Sequence, residues 1–149
     1  MQKLIIIFFF IFFYLTVFSR ANDEYFLTLR NEKVNLRQGP SFEYPVKIFY
    51  KKKFLPVLIQ DSSDNFRKIR DHENNTGWIH VSQLTKKKAA IVTGRDLIMF
   101  KNSTIYSNPV VILKEGRLVK IDKCKNDWCK VRSGKFKGWV KNSNLWGLL

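Results

Sequence analysis

The chain spells one phrase twice. Gly77 to Leu84 reads GWIHVSQL, and 61 residues later Gly138 to Leu145 reads GWVKNSNL. Counting back from each tryptophan, NFRKI (Asn65 to Ile69) answers DWCKV (Asp127 to Val131), and Val57 answers Val119 inside the apolar stretches FLPVLIQ and GRLVKID. Matched features at a spacing of 61 to 62 residues describe a duplicated small domain, since solenoid repeats have shorter periods. A unit of that length has room for several short strands and one small core.

Local patterns define the unit. Val46 to Tyr50, Leu55 to Gln60, Phe66 to Arg70 and Trp78 to Val81 are rich in Val, Ile and aromatics and are separated by Gly, Pro, Asn, Asp and Ser, which predicts strands joined by tight turns. No stretch after residue 21 carries a sustained helical period, so no helix beyond a single turn is expected. Alternation in GWIHV sets Ile79 and Val81 on one face, with Trp78 and His80 on the other, and GWVK opposes Val140 to Trp139 and Lys141. Both tryptophans should therefore face outward. Gly77 and Gly138 mark a bend or a close backbone approach, and units of about five bent strands close into barrels that hide their edges.

The N-terminus belongs to targeting. Lys3, the apolar run Leu4 to Phe18 and the Ser19-Arg20-Ala21 cluster read as a signal peptide spanning residues 1–21, cut after Ala21. An uncleaved form would tether the same domains to a membrane; after cleavage no membrane span is expected. The predicted organisation is residues 22–85 for the first barrel, 86–90 for a short linker and 91–149 for the second. Ala89 to Val92 resumes apolar character at once and should form the second barrel's first strand. So short a linker is no flexible tether, and the barrels should touch. The closing LWGLL should pack on the second barrel.

Charge bounds the partners. With 27 basic and 12 acidic residues the chain carries +15, and still +13 without Lys3 and Arg20. Such potential favours cell-wall carboxylates and phosphates, anionic lipid or nucleic acid, and export makes nucleic acid the poorest fit. Two triple-lysine runs, Lys51 to Lys53 and Lys86 to Lys88, would form an anion-attracting patch if both faced one side. A biased genome composition explains the same totals.

Cys124 and Cys129 in CKNDWC can face each other across a short hairpin and should oxidise outside the cytoplasm, pinning that hairpin. A metal site is the rival reading, yet C-x4-C lacks the usual ligand spacing, and His72 and His80 are remote in sequence. No metal or other cofactor is expected.

The residues also carry a resemblance. VNLRQGPSFEYPV (Val34 to Val46), an apolar strand, NFRKIRD and TGWIHVSQL together resemble the bacterial SH3 domain, often called SH3b, of exported and cell-wall-associated proteins. The second unit resembles it through LKEG, DWCKV and GKFKGWVKNSNLWG, but its opening, IMFKNSTIYSNPVV, lacks Arg-x-Gly-Pro. The pair is similar to two-domain, signal-bearing SH3-like proteins of Gram-negative bacteria. The resemblance implies an all-β fold of two SH3-like barrels in tandem, no catalytic activity, a periplasmic or cell-envelope location, and a groove for peptidoglycan stem peptides or other peptide ligands.

Residue chemistry agrees on catalysis. A thiol hydrolase needs a free Cys beside His, and here both cysteines are expected to be spent on each other. The carboxylates Glu24, Asp61, Asp64, Asp71 and Glu73 fall at strand ends and in loops, where acids are ordinary. A binding groove would be built from outward aromatics near loops. The candidates are Arg37, Phe42, Tyr44, Phe66, Trp78 and His80 in the first unit, and Tyr106, Trp128 and Trp139 in the second. Trp78 and Trp139 are equally able to pack on an adjoining loop or to seal the contact between barrels, and Arg37 to hold loop carbonyls. Peptidoglycan is the first expected partner, and a peptide segment of another envelope protein the second.

Overall fold

The computed structural model describes residues 23–148; the expected signal peptide lies outside them. The first half runs β1 (Tyr25–Leu29), β2 (Val34–Arg37), β3 (Val46–Tyr50), β4 (Pro56–Ser63), β5 (Phe66–Arg70), β6 (Thr76–His80) and β7 (Leu84–Thr85). The second runs β8 (Ala89–Val92), β9 (Leu97–Phe100), β10 (Pro109–Leu113), β11 (Leu118–Lys125), β12 (Trp128–Ser133), β13 (Phe136–Lys141) and β14 (Leu145–Trp146). Each half is one seven-stranded sheet, ordered β3-β2-β6-β5-β4-β1-β7 and β10-β9-β13-β12-β11-β8-β14. These orders are identical once the second set is renumbered. The duplication is structural as well as verbal.

Each sheet curls around its own aliphatic cluster. Leu29, Val34, Leu36, Val57, Ile69 and Ile79 are fully buried in the first, and Val92, Met99, Val119, Val131 and Val140 in the second. Burying each such side chain contributes about 1.5–3 kcal/mol, so the inward alternation of the strands supplies most of the drive to fold. Ile79 and Val140 point inward and the preceding tryptophans are half-exposed, as the alternation predicts. Val81 departs from that pattern: the strand ends at His80, and Val81–Gln83 forms a 3-10 turn started by the Ser82 amide donating to His80 Nδ1 at 3.3 Å. The only helical elements among the described residues are this turn and its copy at Asn142–Asn144.

The two glycines that precede the tryptophans sit where backbones touch. A Cβ on Gly77 would lie 2.7 Å from the Arg37 carbonyl oxygen, and one on Gly138 2.5 Å from that of Phe100. Any side chain there would push β6 off β2 or β13 off β9.

The Cys124–Cys129 disulfide bridges facing residues of β11 and β12, with Cα atoms 4.0 Å apart. Asp71, by contrast, is no ordinary loop acid. It is 1% exposed, accepts the Tyr50 hydroxyl at 2.8 Å, and accepts the amides of Glu73 and Asn75 at 2.9 and 2.8 Å and the Asn75 side chain at 2.9 Å. A buried carboxylate is tolerated because so many donors meet it. The Tyr50 hydroxyl is held far above its ordinary range, first by burial and then by this bond.

Lys86 to Lys88 make the whole connection between β7 and β8, and the barrels touch. Ile91 of β8 joins the first core, while Ala90 and Val92 face the second. The C-terminal tail serves both barrels, where sequence placed it on one. β14 pairs with β8 and Leu148 packs on the second core, but the Trp146 ring meets Phe26 of β1 edge-on at 4.8 Å and lies 6.1 Å from His72. Trp146, rather than Trp78 or Trp139, closes the seam.

Candidate functional site

The outer face of β5 and β6 carries the candidate groove. Strand alternation aligns Phe66 with His80, and Lys68 with Trp78, on the side away from the core; Trp78 also faces Arg37 across β2. The loop from Gln38 to Pro45 folds over one end. Its base is closed by the Gln38 amide donating to Pro45 at 3.1 Å, and its interior by Arg37, whose Nη1 donates to the carbonyls of Phe42 at 3.1 Å and Tyr44 at 2.8 Å. The Tyr44 ring lies over Gly39, where a Cβ would collide with it at 2.6 Å.

This loop delivers Phe42. Its ring stands 5.2 Å from Phe66 and 5.0 Å from His80, which are 5.1 Å from each other, with the Arg37 guanidinium 5.4 Å from the Phe42 centroid. Phe66 is buried by the cluster, whereas Phe42 remains 64% exposed. An apolar ring held open by a charged clamp has contact area to offer at little entropic cost. His80 has a second task, since its Nδ1 accepts the Ser82 amide at 3.3 Å and lies 2.8 Å from the Ser82 hydroxyl oxygen.

Beside the cluster, Gln38, Lys47, Lys68, Thr76, Gly77 and Trp78 line an open cleft of about 370 Å³. Its charged lining is all cationic. Arg37, Phe42, Phe66 and His80 thus come together, Trp78 borders them in the cleft, and Tyr44 braces the loop.

In the second barrel the same positions carry other chemistry. Strand register equates Arg37 with Phe100, Phe66 with Trp128, Trp78 with Trp139 and His80 with Lys141, and the loop equates Phe42 with Ile105. Phe100 meets Trp128 at 5.8 Å, and Lys141 lies 5.9 Å from the Trp128 centroid. Phe100, Ile105 and Lys141 border a cleft of about 270 Å³. Trp139 is flanked by Lys123 and Lys130 at 5.7 and 5.8 Å. Tyr106 stands away from all of these, 91% exposed. Sequence reasoning missed Phe100, Ile105 and Lys141; Lys141 answers His80 within the repeated phrase itself, whereas Phe100 and Ile105 lie beyond two one-residue length differences between the copies.

Both cysteines are in the disulfide, so neither offers a thiol. Among the described residues no three His, Cys, Asp or Glu side chains converge as a metal site.

No curated protein matches the chain. Among solved structures it is similar to NlpC2 and NlpC1 of Trichomonas vaginalis, with 12% and 13% identity and a TM-score of 0.38 for each. The match covers 85% of this chain but 49% and 47% of theirs, so the chain spans about half their length, and a likeness this remote carries no argument about activity. The bacterial SH3 domain matches residues 30–86 and again 99–147, one match per barrel and most of the sequence between them. On that evidence, and with the same strand order in both halves, the chain belongs to the bacterial SH3 domain family.

Proposed function

We propose that this protein is a non-catalytic binding module of the cell envelope, working in the periplasm, and that its first barrel engages peptidoglycan through the stem peptides. The observation that carries the reading is the preformed Phe42 platform: Arg37 fixes the loop, and the loop holds an exposed ring beside Phe66 and His80. Peptides of the wall carry free carboxylates next to small apolar side chains. The ring offers the apolar contact, and Lys47 and Lys68 in the adjoining cleft offer the countercharge.

Sedimentation with purified sacculi tests the reading. Phe42→Ala removes an exposed ring without touching the core, and should weaken association about tenfold, the effect of deleting one well-placed aromatic anchor. Arg37→Lys keeps the charge but loses the planar guanidinium whose Nη1 reaches both carbonyls, and should weaken it less. Association that ignores both substitutions removes the groove from the account. A stoichiometric protein partner that survives muramidase digestion would replace peptidoglycan with a peptide segment of another envelope protein.

A further inference from the structure

One lysine from each triple-lysine run, Lys53 and Lys87, meets Lys120 around the ring of Phe54. The Nζ atoms of Lys53, Lys87 and Lys120 lie 5.4, 5.7 and 4.7 Å from the centroid of the Phe54 ring. The three ammoniums are therefore within about 11 Å of one another, close to one Debye length, and their potentials add. They come from the β3–β4 turn, the inter-barrel connection and β11, so both barrels contribute. Among the described residues the ion pairs fall on Lys114, Arg132 and Lys137, and none neutralises this group.

The arrangement is built into the backbone. Thr28 Oγ1 donates to the Lys87 carbonyl at 2.7 Å, and the Ile121 amide donates to that of Lys88 at 3.0 Å, tying the connection to one barrel and then the other. Phe54 has φ = 63°, the left-handed region that a bulky residue enters at a cost. The equivalent residue of the second barrel is Gly116, at φ = 77°, and the two amides make equivalent bonds, Phe54 to Leu29 and Gly116 to Val92, each 2.8 Å. The turn calls for glycine, and the first barrel places a phenyl ring there instead. That ring gathers the lysines.

We propose that this seam is a docking surface for an anionic phospholipid bilayer. Ammoniums around a half-exposed ring suit the boundary where phosphates meet acyl chains. Nucleic acid fits less well, because it asks for rings free to stack, and here one ring is surrounded by cations. Until it is cut, the apolar stretch Leu4 to Phe18, read as a signal peptide and ending seven residues before β1, holds the first barrel beside a bilayer. The seam is independent of the Phe42 groove.

Residues 22–149 contain both cores and lack that apolar stretch, so they isolate the seam. They should pellet with vesicles containing phosphatidylglycerol at low salt and stay in solution with neutral phosphatidylcholine. Lys53→Gln/Lys87→Gln/Lys120→Gln should lower vesicle affinity about tenfold or more. Lys101→Gln/Lys125→Gln/Lys135→Gln, with the same net charge, should stay within about twofold. The triple arginine variant at the seam should bind like the parent, which separates charge from folding, and Phe42→Ala should pellet normally, which separates this site from the groove. Failure of the parent to pellet, equal loss in both glutamine sets, or capture by a single-stranded oligonucleotide without capture by vesicles overturns the proposal.

Discussion

The two barrels share a strand order and most of the backbone bonds that close their turns, and differ in the side chains that support those turns. Beneath the β5–β6 turn the first barrel buries Asp71 against Tyr50; Ser133 and Leu113 stand there in the second. Where the first has Ser62 facing Arg67 across β4 and β5, with Arg67 reaching the carbonyls of Asp64 and Phe66, the second has its disulfide. The first closes its loop with Arg37, whereas the second uses its own hydroxyls, Ser107 accepting the Asn102 amide and Thr104 that of Tyr106. What stays constant is the inward aliphatic set, the glycine at each strand crossing and the backbone bonds of the turns. The scaffold is specified by packing, and the closures are interchangeable solutions to local hydrogen bonding.

Removing a closure should therefore damage its own barrel. Asp71→Ala leaves the Tyr50 hydroxyl and the amides of Glu73 and Asn75 without their partner, and should destabilise the first barrel by about 3 kcal/mol. Ser133→Ala at the matching position should cost less than about 1 kcal/mol. Urea unfolding followed by hydrogen exchange in each half checks both, and equal losses would mean that the halves do not rely on different supports.

Next in size is the disulfide. Opening a loop this short should cost about 2 kcal/mol by the chain-entropy argument. Protection should fall in β11 and β12 and hold in β4 and β5, which the bond does not cross. A mild reductant read by amide exchange decides it, since loosening across both halves would show that the seam couples them.

Such supports were only partly legible beforehand. The inward positions could be read because period-two alternation fixes a face, and the disulfide because five residues of separation place two cysteines opposite each other in a tight hairpin. The offset between copies drifts from 61 at Trp78 to 62 at Phe66 and 63 at Arg37, because the β5–β6 and β3–β4 turns of the first barrel are each one residue longer. Counting back from the tryptophans therefore loses register before Phe100 and Ile105. Asp71 sits in a polar turn, and its burial depends on Tyr50, 21 residues away in β3. Trp146 was illegible for another reason: its contact with Phe26 exists only once the barrels dock.

An effect smaller than that of the disulfide also separates the barrels. Tyr50 keeps its proton in the folded state where an unfolded tyrosine, with a pKa near 10, gives it up. Above pH 10 the native state thus binds more protons than the unfolded state, so the stability this group contributes is intact below that value and declines as pH rises past it. With allowance for the part of the ring that stays near water, the decline should reach about 1 kcal/mol by pH 11. Tyr50→Phe should be less stable at neutral pH, having lost its bond to Asp71, yet flatter through the alkaline range. Leu113 occupies this position in the second barrel, so the slope should appear only in probes of β3 to β6. Urea midpoints measured from pH 8 to 11 on parent and variant give the comparison, and parallel curves would mean that the phenol ionises in the folded chain as freely as outside it.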